Sequence, residues 1–247
     1  MKNKKYFIEL SNFYNEKRNL FLYLIVVIAC LCGGLSGNLK FSFCLNYYTS
    51  ITQWISLSLL SLTFGLDIYS LIYKTNNSYE IILRFKSYKE VIKDQSKKII
   101  FSTIYFLIIY YLLSIIIPLF IATSNIGLEG LTMLSSLNEY LYLAFIMLRM
   151  SIIFLIVNVM LGFILTFSNK KIYYFAILLN SIMFFLVGVS AEVTHFYNAP
   201  LMYYNYLLGI PFNSFILEVV SSVLQVNLLL LIAIGCYKFT LRKKRDV

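Results

Sequence analysis

Six long apolar runs, each bounded by charged or turn-forming residues, organise this chain. They cover about 20–36, 48–73, 99–122, 140–167, 172–190 and 215–237. A bilayer core takes roughly 17–25 apolar residues per helix, so the pattern predicts six transmembrane α-helices. Ahead of the first run, Tyr6, Phe7, Leu10, Phe13 and Tyr14 recur at helical spacing, with Glu9, Asn12, Asn15 and Glu16 mostly opposite. That reads as an amphipathic helix over 4–18, lying along the inner membrane surface. Its lysines, the apolar run and the small residues of "GGLSG" also fit a secretory signal. No internal repeat or low-complexity linker interrupts the pattern.

Composition sharpens the class. The 247 residues are 60% hydrophobic and 13% charged, whereas a soluble domain is about a quarter charged. No stretch is left to build a large domain outside the membrane. The expected fold is all-α and polytopic, one membrane domain covering 1–247.

Charge then sets orientation. With both termini in the cytoplasm, four groups of basic residues fall inside. Lys2, Lys4, Lys5, Lys17 and Arg18 precede the first span. Lys74, Arg84, Lys86, Lys89, Lys93, Lys97 and Lys98 lie in the first inner loop. Lys170 and Lys171 follow in the second loop, and Lys238, Arg242, Lys243, Lys244 and Arg245 in the tail. These are 19 of the 21 lysines and arginines; Lys40 falls outside and Arg149 within a span. Such a bias follows the positive-inside rule. It explains the net charge of +10 by insertion and anionic lipid, and removes the case for nucleic acid. Cys30, Cys32, Cys44 and Cys236 form no CxxC pair and read as small buried hydrophobes. His195 is the one histidine, which excludes a multi-histidine metal site.

The first inner loop, 75–98, is both basic and apolar. Ser87 followed by Glu90 is a capping-box pattern, predicting a helix that runs straight into the third span. Tyr88, Val91, Ile92 and Ile99 share its face, Gln95 interrupts that face, and Asp94 can pair with Lys98 at i,i+4. Upstream, Asn77 and Glu80 signal a shorter helix over about 78–85, with Glu80 and Arg84 one turn apart. Tyr79, Ile82 and Leu83 make one apolar stripe and Ile81 with Phe85 another. Two turns do not persist alone in water. The helix either rests on lipid headgroups or docks into a groove on another protein.

Two charges sit deep in the spans. Arg149 lies about ten residues into the fourth, roughly 15 Å deep. Asp67 lies near the inner end of the second, roughly 10 Å from the inner surface. A lone charge at mid-bilayer costs about 2.5–3.5 kcal/mol or more. The pair Asp67–Arg149 is expected, with Glu218 near the outer end of the sixth span as the rival partner. It is either a structural ion pair or part of a substrate path. Gly33 and Gly37 form a GxxxG near the outer end of the first span, allowing close helix contact. Residues 190–215 are too apolar for a free loop and too broken by Pro200, Gly209 and Pro211 for a span. Tyr197, Tyr203, Tyr204 and Tyr206 suit the headgroup level. The segment is a re-entrant hairpin or an aromatic loop on lipid.

No GxxxxGK[ST] is present, so the chain has no phosphate-cradling loop of its own. HExxH and GxSxG are also missing. The arrangement of Thr75, Glu80, Ile81–Leu83, Ser87, Glu90, Val91 and Ile92, within a six-span chain that starts with an amphipathic helix, resembles the permease subunits of ABC-2 type transporters. Those often carry a proline before the second loop helix, where this chain has Phe85-Lys86. The resemblance implies a coupling helix, here Tyr79, Glu80, Ile82, Leu83 and Arg84, docking on a separate ATPase that binds ATP and magnesium. It implies a second permease chain, identical or different, and no cofactor on this one. It implies an outer gate in the segment holding Glu192, His195, Pro200 and Pro211. The expected activity is export of a peptide, antibiotic or other amphipathic substrate across a bacterial plasma membrane, with bacteriocin immunity among the roles of comparable chains. From the residues alone, an intramembrane enzyme and a six-span substrate-binding subunit stay open.

Overall fold

The computed structural model describes residues 20–35, 37, 39, 42–77, 87–121, 138–167, 171–182 and 215–243. All regular structure among them is α-helix: α1 (Leu20–Gly34), α2 (Phe43–Thr52), α3 (Trp54–Asn77), α4 (Tyr88–Ser114), α5 (Ile116–Ile121), α6 (Glu139–Phe167), α7 (Lys171–Ile182) and α8 (Phe215–Lys243). Four stretches are long and apolar enough to cross a membrane: Trp54–Ile72, Lys89–Ile121, Glu139–Thr166 and Val219–Arg242. Helices α1 and α7 are apolar but shorter. The interfacial helix expected over 4–18, the loop helix over 78–85 and the hairpin over 190–215 lie outside the described residues.

Side-chain pairs fix the relative directions of the helices. Tyr23 meets Phe106 and Cys30 meets the Tyr110 carbonyl, so α1 and α4 run the same way. Ser56 meets Tyr110 and Phe64 meets Phe106, so α3 opposes α4. Ser58 bonds Ser181 and Gly65 bonds Tyr173, so α7 opposes α3. Phe64 meets Phe154, Arg149 meets Gln225 and Phe163 meets Tyr237, and α6 and α8 run with α3. Thus α1, α4 and α7 point one way, and α3, α6 and α8 the other.

The bundle is apolar on its outside as well as in its core, and its polar side chains are gathered inside. Phe21, Leu24, Ile28 and Leu31 of α1 are exposed, as are Phe101, Ile104, Ile108 and Leu112 of α4. Asn46, Ser50, Ser56, Thr63, Asp67, Ser102, Thr103, Ser114, Arg149 and Asn158 are buried instead. Apolar groups outward and polar groups inward is the arrangement lipid favours, because no water is present to satisfy a lone donor or acceptor. The aromatic centre is Phe64, Phe106 and Phe154, from α3, α4 and α6. A second apolar cluster, with Ile68, Ile72, Ile99, Leu165 and Tyr173, packs toward the C-terminal end of α3.

The capping box opens α4 as expected. Ser87 is extended (φ −150°, ψ 153°) and its side chain accepts from the Glu90 N–H at 3.4 Å. Val91, Ile92, Asp94, Gln95 and Ile99 are buried, while Lys89, Lys93 and Lys97 line the exposed side. Lys98 and Asp94 pair at 2.9 Å. Two spans depart from the sequence reading. The second, expected unbroken over 48–73, is two helices divided at Gln53. The third is divided at Ile115.

Candidate functional site

The two divisions face each other. The stretch "YYTSITQ" concentrates hydroxyls that bond back to their own helix: Thr49 donates to Asn46 O at 2.9 Å and Thr52 to Tyr48 O at 2.7 Å. Such back-bonding weakens the helical ladder. Gln53 then turns extended (φ −62°, ψ 130°), and its amide oxygen accepts from the Ser56 N–H at 2.9 Å, capping α3 as α2 ends. In α4–α5 the cause is Pro118. Lacking an N–H, it leaves the carbonyl four residues earlier, at Ser114, without its helical donor. The Ser50 hydroxyl donates to that carbonyl at 3.4 Å.

Tyr110 bridges the first division. It is fully buried, and its hydroxyl donates to Ile51 O at 3.0 Å. Having spent its one proton there, it accepts from the Ser56 hydroxyl at 2.7 Å. One phenol therefore ties the end of α2 to the start of α3. Tyr47 donates to Tyr111 O at 3.0 Å, and Tyr111 donates in turn to Met147 O of α6 at 3.1 Å. Helix α1 closes the group. Ser114 donates to the Cys30 sulfur at 3.5 Å, and a Cβ on Gly33 would collide with the Ser50 carbonyl. A Cβ on Gly34 would collide with Ile117, so both glycines let α1 lie directly against the two divisions.

Toward the other end of the bundle lies a second set of buried polar contacts. Asp67 is 1% exposed and accepts from the Ser102 hydroxyl. At the residue after Ser102, Asn158 of α6 donates to Thr103 at 3.0 Å. Asn180 of α7 donates to Ser61 of α3. Back near the divisions, two residues past Met147, Arg149 is 3% exposed and donates to Gln225 of α8 at 2.5 Å.

Neither of these hydrogen bonds joins Asp67 to Arg149. Phe64 and Phe154 are level with each other, at 5.2 Å between ring centres. Asp67 lies three residues past that level and Arg149 five residues before it on a parallel helix, a separation of about 12 Å along the axes. Glu218 is on α8, but its side chain is outside the described residues, as are Tyr79, Glu80, Ile82, Leu83, Arg84, Glu192, His195, Pro200 and Pro211. The sequence reading passed over Gln53, Ser50, Tyr110, Ser114 and Gln225. Two signals were available for them: four polar residues within "TSITQ", and a proline inside an apolar run.

No family model matches the chain, and neither a curated protein nor a solved structure is significantly similar to it.

Proposed function

We propose that the chain is the permease subunit of an ATP-driven exporter in a bacterial plasma membrane. It crosses six times, with α1 and α7 as the shorter crossings and both termini inside. It works with a separate ATPase that carries ATP and magnesium, and with a second six-span chain. The substrate class is a peptide, antibiotic or other amphipathic molecule.

One observation carries this reading: α4 is a rod. It starts at the Ser87 cap, beside the basic inner loop, and runs 27 residues without a break to Ser114. That is about 40 Å of helix, and its far end is the division at Ile115, bonded to the division in α2–α3. A partner pressing on the loop acts through a stiff lever on the one place where two spans are jointed. In this reading, a chain without a phosphate-binding loop takes its work from a partner through that lever.

The test is the double change Ile82→Asp, Leu83→Asp. Fully burying one such side chain contributes about 1.5–3 kcal/mol, so docking should weaken by orders of magnitude. The variant should insert normally yet fail to co-purify an ATPase or support transport-linked ATP hydrolysis. Wild-type recovery of the ATPase would overturn the reading.

A further inference from the structure

Helix α8 is the least enclosed of the long helices. Ser222, Leu229 and Thr240 are its buried positions, on the side that meets α6. On the opposite side run Val220, Leu224, Asn227, Leu231 and Ile234, spaced by four, three, four and three residues. All five are exposed, Leu224 at 65% and Leu231 at 69%. This alternation is the seam of a left-handed pair of helices. It covers about four turns of the face of α8 that is turned away from α6.

Asn227 is the residue that plain lipid contact does not explain. It lies eight residues past Val219, where the span begins, or about 12 Å into the bilayer. Its amide nitrogen donates to Val223 O of its own helix at 2.9 Å. That uses one N–H; the second N–H and the carbonyl oxygen have no partner among the described residues. In hydrocarbon these groups favour a helix that supplies both a donor and an acceptor.

We infer that this face of α8 pairs with α8 of a second copy of the same chain, Asn227 against Asn227 across a two-fold axis. An amide is its own complement: each copy gives one N–H and takes one at the oxygen. Two copies inserted the same way hold their α8 helices parallel, which is the geometry the seam requires. One asparagine in an apolar seam also fixes register, because a shifted pairing buries both amides unpaired. Lys238 and Arg242 continue the seam only where it reaches the headgroups, and long basic side chains splay there toward phosphate. This names the surface and identity of the second chain proposed above, yet it requires no ATPase.

The test uses two differently tagged copies in one membrane, with single cysteines at Leu224→Cys or Leu231→Cys on the seam, and Leu230→Cys or Ile232→Cys on its flanks. The native chain, with its four cysteines, supplies the baseline. Oxidation should link the two tags at the seam positions at least fivefold above the flanks. Asn227→Leu should lower that yield roughly threefold to thirtyfold, the range set by one interhelical amide contact, while Asn227→Gln should keep most of it. Equal yields at all four positions would overturn the inference. So would seam cysteines that link to an untagged protein, or an Asn227→Leu chain that pairs as well as the native one.

Discussion

At the scale of single residues, the hydroxyl of Tyr110 is the most exacting group in the molecule. It satisfies a carbonyl that helix α2 has abandoned and a serine that opens α3. Tyr110→Phe leaves both unmet in a buried setting, which costs about 1–3 kcal/mol. The unfolding midpoint in detergent should fall by several degrees, at roughly 2–4 °C per kcal/mol for a chain of this size. Two glycines give a sharper contrast. Gly33→Ala drives a methyl into the Ser50 backbone, which has no side-chain freedom with which to yield. A cost of about 1–3 kcal/mol follows. Gly235 has nothing within 4 Å of its absent Cβ, and Gly235→Ala should stabilise by about 0.5–1 kcal/mol through lost chain entropy. Equal midpoints for the two alanine variants would contradict the packing of α1 on the divided helices.

At the scale of elements, the question is why two membrane helices are divided at the same level. Each division frees carbonyls, and each set is met by hydroxyls from the other helix rather than by backbone N–H groups. Backbone N–H bonds hold a helix straight; a hydroxyl on a rotatable side chain follows a bend. Pro118→Ala restores the donor for Ser114 O and should fuse α4 with α5. The midpoint should rise by a few degrees, and under the proposed export function transport should fall severalfold, the exchange expected where motion is needed. A variant that gains stability and transports normally would make the joint mere architecture. Parts of this were legible in the sequence. Ser87-x-x-Glu90 marked the start of α4 because a cap is a local device, and Asp94–Lys98 was readable for the same reason. The division at Gln53 was not, because it depends on Tyr110, more than fifty residues away, arriving to satisfy the freed groups. Gln225 was missed as the partner of Arg149 because α6 is apolar on every side, so its sequence does not say which face meets α8.

At the scale of the whole molecule, apolar length carried the part of the fold that the described residues show, while the distribution of lysine and arginine bears on orientation alone. Four long apolar helices and the buried placement of Asp67 and Arg149 agree with that pattern. The proposed six crossings have a direct check. A cysteine at Gly127 should react with an impermeant reagent outside intact cells, and one at Lys89 should react only after the membrane is opened. The reverse pattern would invert the orientation and remove the loop 75–98 from any ATPase. The buried Arg149–Gln225 contact adds a second check on how the last helix is held. Gln225→Leu removes the acceptor from a buried cation at a cost of about 1–3 kcal/mol. It should loosen α8, seen as faster proteolysis of its C-terminal end, while leaving the α1–α4 packing intact.

The chain has a single tryptophan, Trp54, and it is the first residue of α3, directly after the division at Gln53. Its intrinsic fluorescence therefore reports on the joint and on no other place. A joint that opens to water should shift the emission to longer wavelength, and the fused Pro118→Ala chain should silence that shift. The molecule comes already labelled where its helices divide, so any movement there is open to optical measurement without a foreign dye.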